Sequence, residues 1–185
     1  DGQRAATVIL ANVVVAEDQL VNAVGEGMDL IDQVMPSMLM ALSAEALGIM
    51  STLNSITVDY SKTRQQFGSP IGSFQVLQHR MVDTFMSCEQ AKSMLYRSLC
   101  QANECAADES ADKSEFLKSV HALKVTMAKA GKQIGEEAIQ LHGGIGLTDE
   151  LNIGHFVKRL MTINVTLGDR DFHQKKFNQL SYSAS

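Results

Sequence analysis

The chain has 185 residues, 45% of them apolar, and a formal net charge of −5 at neutral pH. That is long enough for one ordinary domain with a full core, and too apolar for a disordered chain. The 16 basic residues are scattered rather than clustered, which argues against a nucleic-acid backbone as partner. Two prolines, no tryptophan and ten methionines favour helices.

The chain begins Asp1-Gly2 without a methionine and reads as a piece cut from a longer protein. Thr7 to Val15 is rich in β-branched residues and predicts one strand, or two short ones hinged at Asn12. Gly25-Glu26-Gly27 breaks that pattern, so residues 1–27 read as a short β segment and linker. From Met28 the signal is helical, with a kink or restart expected at Pro36. Leu39, Leu42, Ala46, Ile49, Leu53, Ile56 and Tyr60 then recur at helical spacing, and the helix is expected to end near Arg64.

Phe67 to Gly72 carries the Gly and Pro of a turn. A second helix runs from about Ser73 to about Asn103, with Val76, Leu77, His79, Met81, Val82, Phe85, Met86, Ala91, Met94, Leu95 and Leu99 on its apolar face. Ala107 to Asp112 is a polar connector. A third helix, from about Ser114 to His142, shows Phe116, Val120, Leu123, Val125, Ala128, Ile134, Ala138 and Leu141 as its apolar face. A fourth spans roughly Glu150 to Val165. Gly168-Asp169 breaks it, a short tail helix ends near Leu180, and Ser181 to Ser185 should fray. Long helices with short connections predict an all-α fold, an antiparallel four-helix bundle over residues 28–185. Their broad apolar faces leave surface for a dimer or tetramer.

Cys88, Cys100 and Cys105 contain no C-x-x-C pair and read as free thiols in a reducing compartment. No signal peptide and no apolar run of membrane-spanning length stand out, which places the protein in the cytoplasm without a membrane span. Neither Glu-x-x-His nor any histidine–carboxylate ligand spacing supports a metal. A serine nucleophile elbow is absent as well.

Two stretches carry chemistry. The first is Gln140-Leu141-His142-Gly143-Gly144-Ile145-Gly146, between two helices. Such a run is either a plain helix C-cap or a place where backbone amides meet an anion such as a pyrophosphate. The second is Thr63-Arg64-Gln65-Gln66-Phe67-Gly68-Ser69-Pro70-Ile71-Gly72-Ser73-Phe74-Gln75. Arg64 offers a planar fork suited to phosphate oxygens, and Gln75 opens a helix where free N–H groups favour anions. The same residues also suit a helix hairpin in which Arg64 caps carbonyls and Phe67 plugs the core.

Together, in this order and separation, the two stretches resemble the acyl-CoA dehydrogenase family over its C-terminal helical domain, from about Met28 onward. Asn12 to Gly27 resembles the last strands of the family's middle β-domain and the link to the bundle. The resemblance implies FAD as cofactor, held by Arg64, Phe67 and Gln75. It also implies contacts from Gln140, Leu141, His142, Gly143 and Gly144 to an FAD bound largely to a second subunit, so that the two sets serve different flavins. The implied chemistry is α,β-dehydrogenation of an acyl-CoA thioester. A glutamate removes the α-proton and flavin accepts the β-hydride, with an electron-transfer flavoprotein as onward acceptor.

The family's glutamate belongs to a Glu-Gly pair that falls here on Leu167-Gly168, and leucine cannot accept a proton. The alternative base position of some members falls near Met38-Leu39, neither of them ionisable. The family's following Thr-x-Gln is replaced by Asp169 to Asp171. Gly154 to His173 is similar to the small subunit of pimeloyl-CoA dehydrogenase and to related partners in two-component bacterial enzymes, in which a large subunit could supply the base. Among local carboxylates, Asp169 is the best placed by position. Glu45, Asp149, Glu150 and Asp171 are further candidates, Glu150 and Asp149 being simply explained as helix openers. As a fragment the chain is expected to be inactive alone. The alternative is a non-catalytic assembly module that no longer binds FAD.

Overall fold

The computed structural model describes residues 2–108 and 113–182. It contains five α-helices: α1 (Gly27–Thr63), α2 (Gln75–Ala107), α3 (Lys113–His142), α4 (Ile153–Val165) and α5 (Arg170–Tyr182). Short 3-10 turns cover Glu17–Gln19, Ile71–Ser73 and Gly143–Leu147. The expected all-α bundle is formed by α1 to α4, and α5 lies along α3. Helix α3 is the hub, packing against α1, α2, α4 and α5. Most of the predicted connector and of the fraying tail, residues 109–112 and 183–185, lies outside the described residues.

The core gathers where α1, α2 and α4 meet α3. Met50 and Leu53 of α1, Ala91 and Leu95 of α2, Leu123, Met127 and Ile134 of α3, and Leu160 and Ile163 of α4 form one buried cluster. Small residues let the backbones approach. A methyl added at Gly131 would sit 3.5 Å from the Leu160 Cδ2, and one at Gly135 would sit 3.4 Å from Val157 Cγ2. The Arg159 guanidinium grips Glu45 with two bonds, Nε to Oε1 at 2.5 Å and Nη2 to Oε2 at 2.8 Å, tying α4 to α1.

Four sequence expectations are corrected. First, Thr7 to Val15 forms no strand, and residues 2–29 are exposed; a strand needs a ladder partner, and none of the described residues supplies one. The two-stranded ladder that does form is the antiparallel pair β1 (Gln65–Gln66) and β2 (Ser69–Pro70). Second, α1 does not restart at Pro36, which is buried within it. The single hydrogen bond lost there is outweighed by the packed helix that follows.

Third, much of the predicted face of α2 points outward. Val76, Val82, Phe85, Met86 and Leu99 are exposed, while Thr84, Cys88, Ala91, Leu95 and Ser98 are buried. Close packing on α3 selects the row of mostly smaller residues. Fourth, α1 is long and apolar enough to cross a membrane by length and composition, with a mean hydropathy of 1.4 over its best window. Its stripe of Leu39, Ser43, Ala46, Met50, Leu53, Thr57 and Ser61 packs into the bundle, and 28% of that apolar window is buried.

Candidate functional site

The α1–α2 connection is a tight hairpin. Arg64 ends α1, its backbone N–H donating to the Tyr60 carbonyl at 2.9 Å. The chain reverses at Phe67-Gly68, with φ of +54° and +81°, and the Ile71 N–H closes the loop on the Arg64 carbonyl at 2.8 Å. Two successive positive φ values suit the right-handed twist of paired strands, and Asn-Gly is the usual solution. Here a phenylalanine takes the first position and stays 93% exposed, with an edge-on contact to Phe74 at 6.1 Å. It therefore does not plug the core. Its large apolar side chain is held outward on backbone in the left-handed region.

The return of the chain depends on Gly72. A Cβ there would lie 2.9 Å from Ser61 Oγ and 3.0 Å from the Ser61 carbonyl, so only glycine lets the hairpin seat on α1. Gln75 then opens α2, exposed, and no side chain caps that helix N-terminus. The Arg64 guanidinium is exposed and has no partner among the described residues.

The second stretch ends α3. Leu141 and His142 are buried, whereas Gln140, Gly143 and Gly144 are exposed. His142 Nδ1 donates to the Ala138 carbonyl at 2.8 Å, which fixes its ring inside the last turn. Gly143 takes φ +66° and starts the 3-10 turn, and nothing crowds either Gly143 or Gly144 within 4 Å of where a Cβ would stand.

One contact joins the two stretches. The Tyr60 ring stacks on the His142 ring with centroids 4.4 Å apart, and its hydroxyl donates to the His142 carbonyl at 3.4 Å. The end of α1, which carries Arg64, and the end of α3, which carries the glycines, are thus locked side by side in one chain. Helical spacing alone makes Tyr60 one more apolar position; its place one turn before Arg64 is the signal that could have marked it. The site is an open face. A cavity of about 250 Å³ lies instead between α1, α3 and α4, and none of the predicted cofactor-holding residues lines it.

The candidate bases are all accounted for. Leu167 stands on strained backbone with φ +60°. Asp169 caps α5, its Oδ1 accepting from the Phe172 N–H at 2.8 Å. Asp171 contacts Arg170 at 3.4 Å, and Asp149 faces His155 at 3.9 Å. Glu150 is exposed ahead of α4. The hydrogen bond from Arg159 holds the Glu45 carboxyl below its ordinary range, against the opposing effect of burial. No group of three or more metal-ligating side chains occurs among the described residues.

Sequence reading missed the buried groups under the α4–α5 turn. Lys124 is 1% exposed, and its ammonium donates to the carbonyls of Ile163 at 2.5 Å and Thr166 at 2.9 Å. Burial lowers its pKa to about 8, with Asp169 opposing. Its register was the signal: it lies four residues from both Val120 and Ala128 on the buried face.

Residues 25–176 match the family model described as acyl-CoA dehydrogenase, C-terminal domain. The acyl-CoA dehydrogenase IpdE2 of Mycolicibacterium smegmatis is 36% identical over 118 residues, which is 64% of this chain and 34% of that protein. The mitochondrial short-chain specific acyl-CoA dehydrogenase of Homo sapiens is 27% identical over 150 residues, 81% of this chain and 34% of that protein. The solved FAD complex of PigA superposes with a TM-score of 0.81 at 25% identity, covering 90% of this chain and 42% of that one. The chain therefore spans about a third of the length of the curated relatives it matches.

Proposed function

Since the chain belongs to the acyl-CoA dehydrogenase family, as its C-terminal helical domain, we propose that it is the FAD-binding and oligomerisation part of an enzyme that introduces a double bond α,β to an acyl-CoA thioester. The observation that carries this reading is the Tyr60–His142 stack, which holds the end of α1 that carries Arg64 against the end of α3 that carries Gly143 and Gly144. A diphosphate needs such a set: a free guanidinium fork, an uncapped helix N-terminus and backbone N–H groups open to close approach.

Arg64, Gln75, Gly143 and Gly144 would hold the diphosphate region of FAD, with Gln140, Leu141 and His142 shaping that end. Phe67 would present its exposed ring to the cofactor. Because both stretches lie at one end of one chain, a single cofactor reaching both is proposed in place of the division between two flavins. FAD, when bound, supplies the hydride acceptor. Proton removal is not given to this chain: Leu167 has no ionisable atom, Glu45 is tied to Arg159 and Asp169 caps α5. The base is placed on another subunit, the site being completed in a homo- or hetero-oligomer, with an electron-transfer flavoprotein as acceptor. The three free cysteines support a reducing compartment such as the cytoplasm.

Flavin content of the full-length parent, purified with and without its candidate large subunit, tests this. FAD and acyl-CoA turnover are expected only in the pair. Turnover by the parent alone would mean a base within it. Absence of FAD from both would leave the assembly module, which Leu167 and the Asp169–Asp171 replacement favour. In the flavin-bearing assembly, Arg64→Ala is expected to weaken FAD binding by about ten- to a hundredfold, the loss of a charge-assisted bond. Unchanged FAD occupancy on dilution of that variant would remove Arg64 from the site.

A further inference from the structure

Two histidines that the proposed site does not use meet beneath the α4–α5 turn. His121 of α3 and His173 of α5 bring their Nδ1 atoms to 2.9 Å, and His173 Nε2 lies 3.1 Å from the Leu167 carbonyl. His173 is 1% exposed. A carbonyl only accepts, so His173 Nε2 carries a hydrogen. In the neutral ring its Nδ1 is then bare, and the hydrogen between the rings belongs to His121. One hydrogen fits between the two nitrogens. A first added proton is accommodated by a tautomer change, whereas two imidazoliums would oppose N–H to N–H.

The turn that this pair holds is loaded. Leu167 has φ +60° and Gly168 φ +105°. A Cβ on Gly168 would come within 2.5 Å of Phe172 Cδ1 and 3.0 Å of His173 Nε2. The charges facing the pair are Lys124 from α3, Lys176 from α5 and Asp169 from the turn. Two cations thus stand against one carboxylate, and further positive charge is poorly compensated. Burial first, then His173 and Lys176, hold the His121 pKa at about 4. Burial also lowers that of His173, with the Leu167 carbonyl opposing.

We infer that His121 and His173 form an acid-released latch, in which uptake of two protons by the pair frees the α4–α5 turn and the start of α5 from α3 while the α1–α3 core stays folded. Once released, both rings regain the ordinary histidine affinity for protons. Below about pH 6.5 the open form therefore binds up to two more protons, and the opening equilibrium rises by up to about a hundredfold per pH unit.

Hydrogen exchange followed by mass spectrometry on the full chain tests the latch between about pH 7.5 and 5, with rates corrected for their intrinsic pH dependence. Protection of residues 166–178 is expected to fall more than about tenfold while residues 127–138 keep theirs. His121→Gln should lessen this fall, because an amide turns either NH2 or O toward His173 Nδ1 and only the one buried ring is left to take up a proton. The latch is overturned if both regions lose protection together, if neither does, or if His121→Gln loses it like the parent. Should that variant not fold, ring ¹⁵N shifts of the unaltered chain decide. Midpoints well below 6.5 for both histidines support the latch, and ordinary midpoints overturn it.

Discussion

At the scale of single residues, Lys124 shows how a charge is kept in a core. Its ammonium is spent on the carbonyls of Ile163, in the last turn of α4, and of Thr166 just beyond it, groups that no intrahelical donor reaches. Truncation would leave those carbonyls buried without a donor and open a void beside Ile163. Lys124→Ala is expected to cost about 2–4 kcal/mol, read as a lower urea midpoint with an unchanged slope. A loss below about 0.5 kcal/mol would mean that the turn finds other donors.

Among the elements, the α1–α2 hairpin carries backbone strain at Phe67. Phe67 occupies a left-handed conformation that costs a side chain about 1–2 kcal/mol, and its ring gains almost no burial in return. Phe67→Gly is therefore expected to leave thermal stability unchanged or raise it slightly, while lowering FAD occupancy in the assembled enzyme. Paired melting and flavin-content measurements separate the two effects. Lower stability with full occupancy would assign the ring a packing role instead. Helix α2 shows the related point that a large side chain and a buried one are not the same. Its inner row is mostly small because α3 approaches closely, and Phe85, Met86 and Leu99 are left on the outer side.

For the molecule as a whole, the histidine pair sets the response to acid. Both rings have folded-state pKa values below the ordinary 6.5, so the unfolded chain binds more protons as pH falls. Stability is then complete above about pH 6.5 and declines toward pH 4, by about 1.4 kcal/mol for each tenfold by which folding weakens a ring's hold on its proton. Urea midpoints at about pH 7.5 and 5 check this, and equal midpoints would contradict it. The open character of the candidate cofactor face, with Arg64, Phe67, Gln75 and Gly143 all exposed, fits a site completed by further protein. So do the outward apolar residues of α2 and the chain's coverage of a third of its relatives.

Helix positions and most of their ends were legible in the sequence, because 3.6-residue periodicity and Gly-Pro punctuation are local properties. So were the two stretches bearing Arg64 and Gly143-Gly144, since each is contiguous. What only the tertiary structure decided are contacts between distant positions. The Tyr60–His142 bond spans 82 residues, the His121–His173 pair 52 and the Lys124–Ile163 bond 39. These depend on how each helix is rotated about its axis and how near its neighbour comes. That rotation is set by where small residues such as Ala91, Ser98 and Gly131 allow close approach, which an apolar stripe alone does not specify. The absent strand at Thr7 to Val15 has the same cause: β-branched residues supply a propensity, but a ladder exists only where a second strand is there to pair.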